Sequence, residues 1–333
     1  MVIVEKLVKV YPGGTRAVDG IDFAVKQGEF FGFLGPNGAG KSTTMKVLST
    51  LLKKTSGRAV VAGYDVDRET TEVRKSVGFA MQEVGLDDLT TGRDFLVMQG
   101  LLYGQSRKEA RRRAAELLEL VGLTPVAERK VGTYSGGMRR RIDLVGAMMH
   151  SPPLLFLDEP TTGLDPQSRI AIWDHLKQLN SQGITILLTT QIMEEADRLC
   201  QRLAIIDMGK IVAEGTPRSL KDEIGGDVIT ISLNSNEAAA TKAETIAKER
   251  SYVASVKTVG NTLTITARDG GVAVPDLVKL FNENQISVSN LSVSSPTLDD
   301  VFLRHTGRKI RTEDTGGDEL GTALRPWLGL KRR

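Results

Sequence analysis

The sequence predicts an α/β fold in which a mainly parallel sheet carries helices on both faces, followed by a smaller α+β unit. Three observations predict it. Phe30 to Leu34, Leu154 to Leu157 and Ile184 to Leu188 are continuous apolar runs, the pattern of strands buried on both faces, and stretches of helical character separate them. A glycine-rich turn, Gly35-Pro36-Asn37-Gly38-Ala39-Gly40-Lys41-Ser42-Thr43, links the first of these strands to a helix. Beyond residue 225 the order of elements changes to β-α-β-β-α-β, the ferredoxin-like plan.

The bulk numbers set the frame. A chain of 333 residues has a prior of about two domains. Its 40% hydrophobic and 26% charged content is ordinary for a globular protein. A net charge of +3 is nearly balanced, so no nucleic-acid partner is expected. One cysteine, Cys200, excludes an internal disulfide, and His150, His175 and His305 show no ligand spacing. Met1 to Val10 alternates like a strand rather than a secretory signal, and no apolar run reaches the ~20 residues of a membrane helix. The chain is expected in the cytoplasm, with any membrane role arising through a partner.

In chain order, Val2 to Val10 alternates and reads as a strand, Tyr11-Pro12-Gly13-Gly14 as a turn, and Ile21 to Val25 as a second strand. After the buried strand and the glycine turn come a helix over Thr43 to Leu52, a strand over Arg58 to Ala62 and another over Val77 to Met81 that ends at Gln82. Residues 92 to 121 read as helices, with a capping box at Ser106-Arg107-Lys108-Glu109. Ser135-Gly136-Gly137 opens a helix to about His150. Leu154 to Leu157 then ends in Asp158-Glu159, and a helix follows from Pro166 to Asn180, with proline in its first turn. Another helix spans Met193 to Leu199, and a hairpin turns at Asp207-Met208-Gly209-Lys210. Gly225-Gly226-Asp227 reads as a linker, which divides the chain into 1–224 and 225–305. In the second unit, Val228 to Leu233, Val253 to Val259, Leu263 to Ala267 and Ile286 to Val293 are strands, and Glu237 to Arg250 and Pro275 to Asn284 are helices. It shows no catalytic cluster and reads as a structural or dimer-forming unit. Thr297 to Arg304 is a short helix. Residues 306–333, with Trp327 and the basic end Lys331-Arg332-Arg333, read as a flexible tail.

The glycine turn has the chemistry of a phosphate cradle. Glycines let successive N–H groups point inward, Lys41 supplies a compact positive charge, and the Ser42 hydroxyl suits Mg²⁺. The acids at the end of an apolar strand can set Asp158 beside the metal and Glu159 beside an attacking water. Ser135-Gly136-Gly137 puts a hydroxyl and bare backbone at a second helix start, another anion site, so the chain needs either two anions or a second copy of itself. Gln82, whose amide can reach a metal or a water, Asp165 in Gly163-Leu164-Asp165, and Gln191 end strands or turns, where they also read as capping or turn residues. Tyr11 can stack on adenine or simply pack.

Taken in this order, the motifs resemble the ATP-binding subunits of ABC transporters, and among them the daunorubicin/doxorubicin-resistance type of drug exporter. Pro296-Thr297-Leu298-Asp299-Asp300-Val301-Phe302-Leu303 is similar to that group's C-terminal signature. The resemblance implies an ABC-type P-loop NTPase domain with an antiparallel N-terminal part and a helical subdomain. It implies that Gly35 to Thr43 is the Walker A loop, Asp158 the Walker B acid and Glu159 the catalytic carboxylate. Ser135-Gly136-Gly137 would be the signature that grips the γ-phosphate of ATP held by the opposite subunit. Gln82 would be the γ-phosphate-sensing glutamine that faces the membrane subunit, Tyr11 the adenine-stacking aromatic and Asp165 the acid of the loop beyond Glu159. ATP and Mg²⁺ are the implied cofactors. An integral-membrane permease and a second copy of the chain are the implied partners, with the chain peripheral at the cytoplasmic face of the cell membrane. Two positions depart from the family: Gln191 stands where a histidine is usual, and Met138 ends the signature in place of glutamine. Glutamine donates an N–H but carries no charge, which predicts slower hydrolysis, and methionine holds a ribose poorly. The alternative is a soluble ABC-type ATPase of DNA repair or translation. Only ~50 residues separate Gln82 from Ser135, too few for the long heptad arms such proteins carry. A small P-loop kinase would leave Ser135 to Gly137 without a job.

Overall fold

A computed structural model of the chain describes residues 1–82, 85–234 and 237–306, without the side chains of 237 and 238. The tail residues Trp327, Lys331, Arg332 and Arg333 lie outside the described set. The chain opens with β1 (Val2–Val10) and β2 (Arg16–Val25), an antiparallel pair, then β3 (Phe30–Leu34), buried at every position. α1 (Lys41–Leu48) follows, and β4 (Ser56–Val61), β5 (Tyr64–Asp65), α2 (Thr70–Ser76) and β6 (Val77–Ala80) lead to the helical part, α3 (Gly92–Leu102) and α4 (Arg107–Leu120). The expected capping box holds α4, with Ser106 and Glu109 each accepting the other's backbone N–H. Next come α5 (Gly136–Gly146), β7 (Leu154–Asp158), α6 (Pro166–Ser181), β8 (Thr185–Thr190), α7 (Met193–Leu199), β9 (Arg202–Asp207), β10 (Lys210–Gly215) and α8 (Pro217–Asp222).

These strands make two sheets. The antiparallel one runs β2-β1-β4-β5, and the other runs β10-β9-β3-β8-β7-β6, parallel throughout except for the β10–β9 hairpin. Both faces of the parallel sheet are covered. Phe31, Phe33, Phe156 and Leu187 point to the core shared with the antiparallel sheet, while Phe30, Leu34, Leu155 and Leu188 join the helices. Full burial on both faces is why these strands read as unbroken apolar runs. The order also does the functional work. β3, β8, β7 and β6 are neighbours, so segments far apart in sequence leave the sheet side by side at its carboxyl edge, where open α/β sheets bind ligands.

The remaining unit comprises β11 (Asp227–Leu233), α9 (Glu237–Lys248), β12 (Val253–Val259), β13 (Thr262–Ala267), α10 (Gly270–Glu283) and β14 (Val288–Ser294). Its sheet order, β12-β13-β11-β14 with every neighbour antiparallel, is the ferredoxin-like one. Ile229, Ile231, Leu263 and Ile265 pack there against Ala243, Ala247, Leu277 and Phe281 of the two helices.

The main departures from the sequence reading fall at five helices. The short helices α2 and α8 were not anticipated, although Thr216 caps α8 just ahead of Pro217. α1 begins at Lys41 rather than Thr43, which places Lys41 and Ser42 in its first turn. α10 begins at Gly270 instead of Pro275, because the Asp269 carboxylate accepts the N–H groups of Gly271 and Val272 and starts the helix a turn early. Finally, α11 (Leu298–Thr306) leaves the small sheet behind: Leu298, Val301 and Phe302 are buried in the same core as Leu199 and Leu220, and the Arg304 guanidinium donates to the Glu223 carbonyl.

Candidate nucleotide site

The glycine turn leaves β3 with the Gly35 N–H donating to the Thr190 carbonyl at 3.2 Å, so the ends of β3 and β8 are tied together. Gly40, at φ +107°, sits where a Cβ would fall 2.3 Å from the Ala17 carbonyl oxygen, so only glycine fits at this bend. Lys41 is 4% exposed. Its ammonium donates to the carbonyls of Gly35 (2.8 Å) and Pro36 (3.1 Å) and lies 3.1 Å from Glu159 Oε1. Burial pulls its pKa below the ordinary lysine value, against the pull of Glu159 and Asp158.

Asp158 ends β7, where its Oδ1 accepts from the Ser42 hydroxyl at 2.9 Å and from the Thr189 hydroxyl of β8. Glu159 takes φ +48°, unusual for a non-glycine residue, and its N–H donates to the Thr189 carbonyl at 3.0 Å. The bend turns its carboxylate into the cleft, where Oε2 accepts from the Gln82 amide and the Thr162 hydroxyl, each at 3.3 Å. The cleft, of about 500 Å³, is lined by Tyr11, Asn37, Lys41, Ser42, Gln82 and Glu159 among others. The Tyr11 hydroxyl lies 3.3 Å from the Thr43 hydroxyl. The structure thus unites Tyr11, the loop, Gln82, Asp158 and Glu159. Gln191 follows β8, next to the Thr190 carbonyl that holds Gly35, and its amide makes no hydrogen bond among the described residues.

Ser135, Gly136, Gly137 and Asp165 stand apart from this cleft. Ser135 and Gly136 are exposed, and the Ser135 hydroxyl caps α5 by accepting the Met138 N–H at 3.3 Å. Asp165 caps α6 by accepting the Ser168 N–H at 3.0 Å, and the Ser168 hydroxyl together with this N–H draws its pKa down. The two caps adjoin, since a Cβ on Gly137 would lie 2.7 Å from the Ser168 hydroxyl.

Three participants escaped the sequence reading. Arg140 of α5, 5% exposed, donates to the carbonyls of Pro160 (2.7 Å), Asp158 (3.1 Å) and Met81. Read as the middle of Arg139-Arg140-Arg141, it gave no sign of burial. Glu195 of α7 is fully buried, and its Oε1 accepts from the Thr161 hydroxyl (2.7 Å) and the Trp173 indole (2.9 Å). Burial raises its pKa, opposed by the Thr190 and Thr161 hydroxyls and the Trp173 indole. Asp143 lies 3.3 Å from Arg140, and burial pushes its pKa up to about 6 despite the guanidinium.

Asp143 gives a pH-dependent expectation. Its folded pKa exceeds that of the free carboxyl, so the folded chain keeps a proton that the unfolded chain releases. The resulting stability is complete below about pH 4 and lost as pH rises through 6. Asp143→Asn should therefore be more stable than wild type by about 1–3 kcal/mol at pH 8, with the gap closing toward pH 4. Denaturant unfolding across this range checks it, and a gap independent of pH would contradict it.

Comparison with known proteins identifies the family. A family profile described as "ABC transporter" matches residues 18–162, and one described as "ATP-binding protein DrrA1-3-like, C-terminal domain" matches residues 215–306. The daunorubicin resistance ATP-binding protein DrrA2 of Streptomyces coeruleorubidus is 42% identical, over 92% of this chain and 95% of that protein. The linearmycin resistance ATP-binding protein LnrL of Bacillus subtilis (strain 168) is 41% identical, over 93% of this chain and all of that protein. Among solved structures, a dimeric post-hydrolysis state of the ATP-binding cassette MJ0796 with ADP and Pi is 28% identical at TM-score 0.60, covering 65% of this chain and 98% of that one.

Proposed function

The chain belongs to the ABC transporter family of ATP-binding proteins, in its DrrA-like branch, and from that membership we propose that two copies drive export of a small apolar drug or antibiotic through a separate integral-membrane permease. It binds and hydrolyses ATP as the subunits of this family do. The observation that carries the proposal is the split of the anion-binding groups. Lys41, Ser42, Gln82, Asp158 and Glu159 meet at the ends of neighbouring strands, while the Ser135-Gly136-Gly137 helix start faces outward. A second copy, placed head to tail, brings its exposed serine to the first copy's γ-phosphate and completes both sites.

Within each site the phosphates replace Glu159 as the partner of Lys41. The carboxylate, still held by Gln82, is then free to orient and deprotonate the attacking water. The Ser42 hydroxyl and the Asp158 carboxylate are hard oxygen donors 2.9 Å apart, which suits Mg²⁺, a cation that takes few protein ligands and fills the rest with phosphate oxygens and water. The metal's contribution would be to neutralise charge on the β- and γ-phosphates. Gln191, which follows β8, would offer the γ-phosphate an uncharged N–H, so Glu159 carries most of the water activation. Asp165 and Tyr11 serve the partner contact and the adenine.

No described helix is long and apolar enough to cross a membrane. In this reading the permease supplies the membrane path and the chain sits on its cytoplasmic face. A groove lined by Phe79, Met81, Phe95, Gln99, Tyr103 and Asp143 opens beside Gln82, and Met98 and Leu102 of α3, with Tyr103 just beyond its end, leave apolar surface exposed. A cytoplasmic helix of the permease fits this groove. Leu102→Asp should leave ATP binding within about twofold yet abolish co-purification with the permease, because a charge is costly to desolvate in an apolar contact. Residues 1–224 form the ATPase domain and 225–305 an accessory domain that α11 anchors to it. The names of the relatives, daunorubicin and linearmycin resistance, disfavour the repair or translation reading. The deciding experiment expresses the full chain and asks whether it co-purifies with a six-helix membrane protein and exports a drug with ATP. A chain that hydrolyses ATP but engages no membrane protein would refute the transport role.

A further inference from the structure

Arg140 is a buried cation whose partners are mainly backbone carbonyls. Its guanidinium donates to Asp158 and Pro160, which bracket Glu159, and to Met81, which precedes Gln82, while Asp143 sits 3.3 Å away. Burying a guanidinium carries a desolvation cost that well-packed apolar residues avoid, so filling space does not account for it. What the fork of donors does is hold two strand ends, those of β6 and β7, at a fixed distance from α5. The same helix begins at Ser135, less than two turns away, and Gly137 seats it against Ser168 of α6.

We propose that Arg140 is a positioning residue that ties Gln82 and Glu159 of one nucleotide site to the helix whose Ser135 completes the other, so that the two sites of a dimer act together. The inference rests on the shared-site reading above. When the twin's γ-phosphate docks on Ser135, it fixes the position of α5. Arg140 passes that position to the Met81, Asp158 and Pro160 carbonyls and so to the water-positioning groups. Lysine keeps the charge but, as a point donor, satisfies only part of the fork, so it separates charge from geometry.

The test measures ATPase rate against ATP concentration for the full chain, with ATP affinity from a fluorescent analogue and melting temperature alongside. Wild type should show a Hill coefficient approaching 2. Arg140→Lys should bring it to about 1 and lower kcat by about tenfold or more, with ATP affinity within about twofold. A merely structural arginine would lower melting temperature and rate while leaving the cooperativity in place. Arg140→Gln reads the same quantities should the lysine variant not fold. A variant that retains the wild-type Hill coefficient overturns the inference alone. A wild type that hydrolyses ATP without cooperativity, and whose Glu159→Gln form stays monomeric with ATP, overturns the shared-site reading and the inference with it.

Discussion

We expect Glu159→Gln to lower ATP turnover by about 10²–10⁴-fold while ATP still binds. The amide is isosteric and keeps an oxygen that can accept from Gln82 or Thr162, so the cleft should hold its shape. It can neither take a proton from water nor pair with Lys41 as a charge. Losing that pair removes a competitor for the ammonium, so ATP affinity should stay level or rise. Steady-state turnover and nucleotide titration on the same preparation separate the two effects. Turnover within a few-fold of wild type would remove Glu159 from its assigned role.

Ser135→Arg should block the ATP-dependent dimer and leave nucleotide binding by the monomer intact. The hydroxyl caps α5 at an exposed position, so its loss should cost about 1 kcal/mol and leave the chain folded. The arginine side chain would occupy the space that a partner's γ-phosphate needs. Introduced into the Glu159→Gln background, where hydrolysis does not disperse the dimer, the effect should be nearly complete by size-exclusion chromatography with ATP. A variant that still dimerises would mean that Ser135 does not close the site.

The phosphate loop and Asp158-Glu159 were legible in the sequence because each is a local pattern: a run of turn residues, a buried strand, and polar groups at fixed offsets. Sheet order was not legible, yet it is what brings Gln82, at the end of β6, to Glu159. Arg140, Asp143 and Glu195 stayed hidden for the same reason. Arg140 and Asp143 share α5, but the Met81 carbonyl that Arg140 reaches and the Trp173 indole that Glu195 reaches lie on other elements, and a charged residue on a helix reads as solvated until the opposing surface is known. α10 was misplaced because Pro275 reads as a helix start, whereas the Asp269 cap starts the helix at Gly270 and lets it run through the proline. The ferredoxin-like unit was readable from alternation alone, but the return of α11 to the first core was not, since its apolar face says nothing about which core receives it.

The central claim is that each ATP lies between the phosphate loop of one copy and the serine of its twin. Mixing full-length Asn37→Cys chains with Ser135→Cys chains tests it, because a bridge between the two new thiols can form only across copies and the native Cys200 is buried. In the Glu159→Gln background, mild oxidation with ATP should give a covalent pair that disappears when ATP is withheld or Lys41 is replaced by alanine. If both chains bind ATP and no covalent pair forms between them, the shared site does not exist.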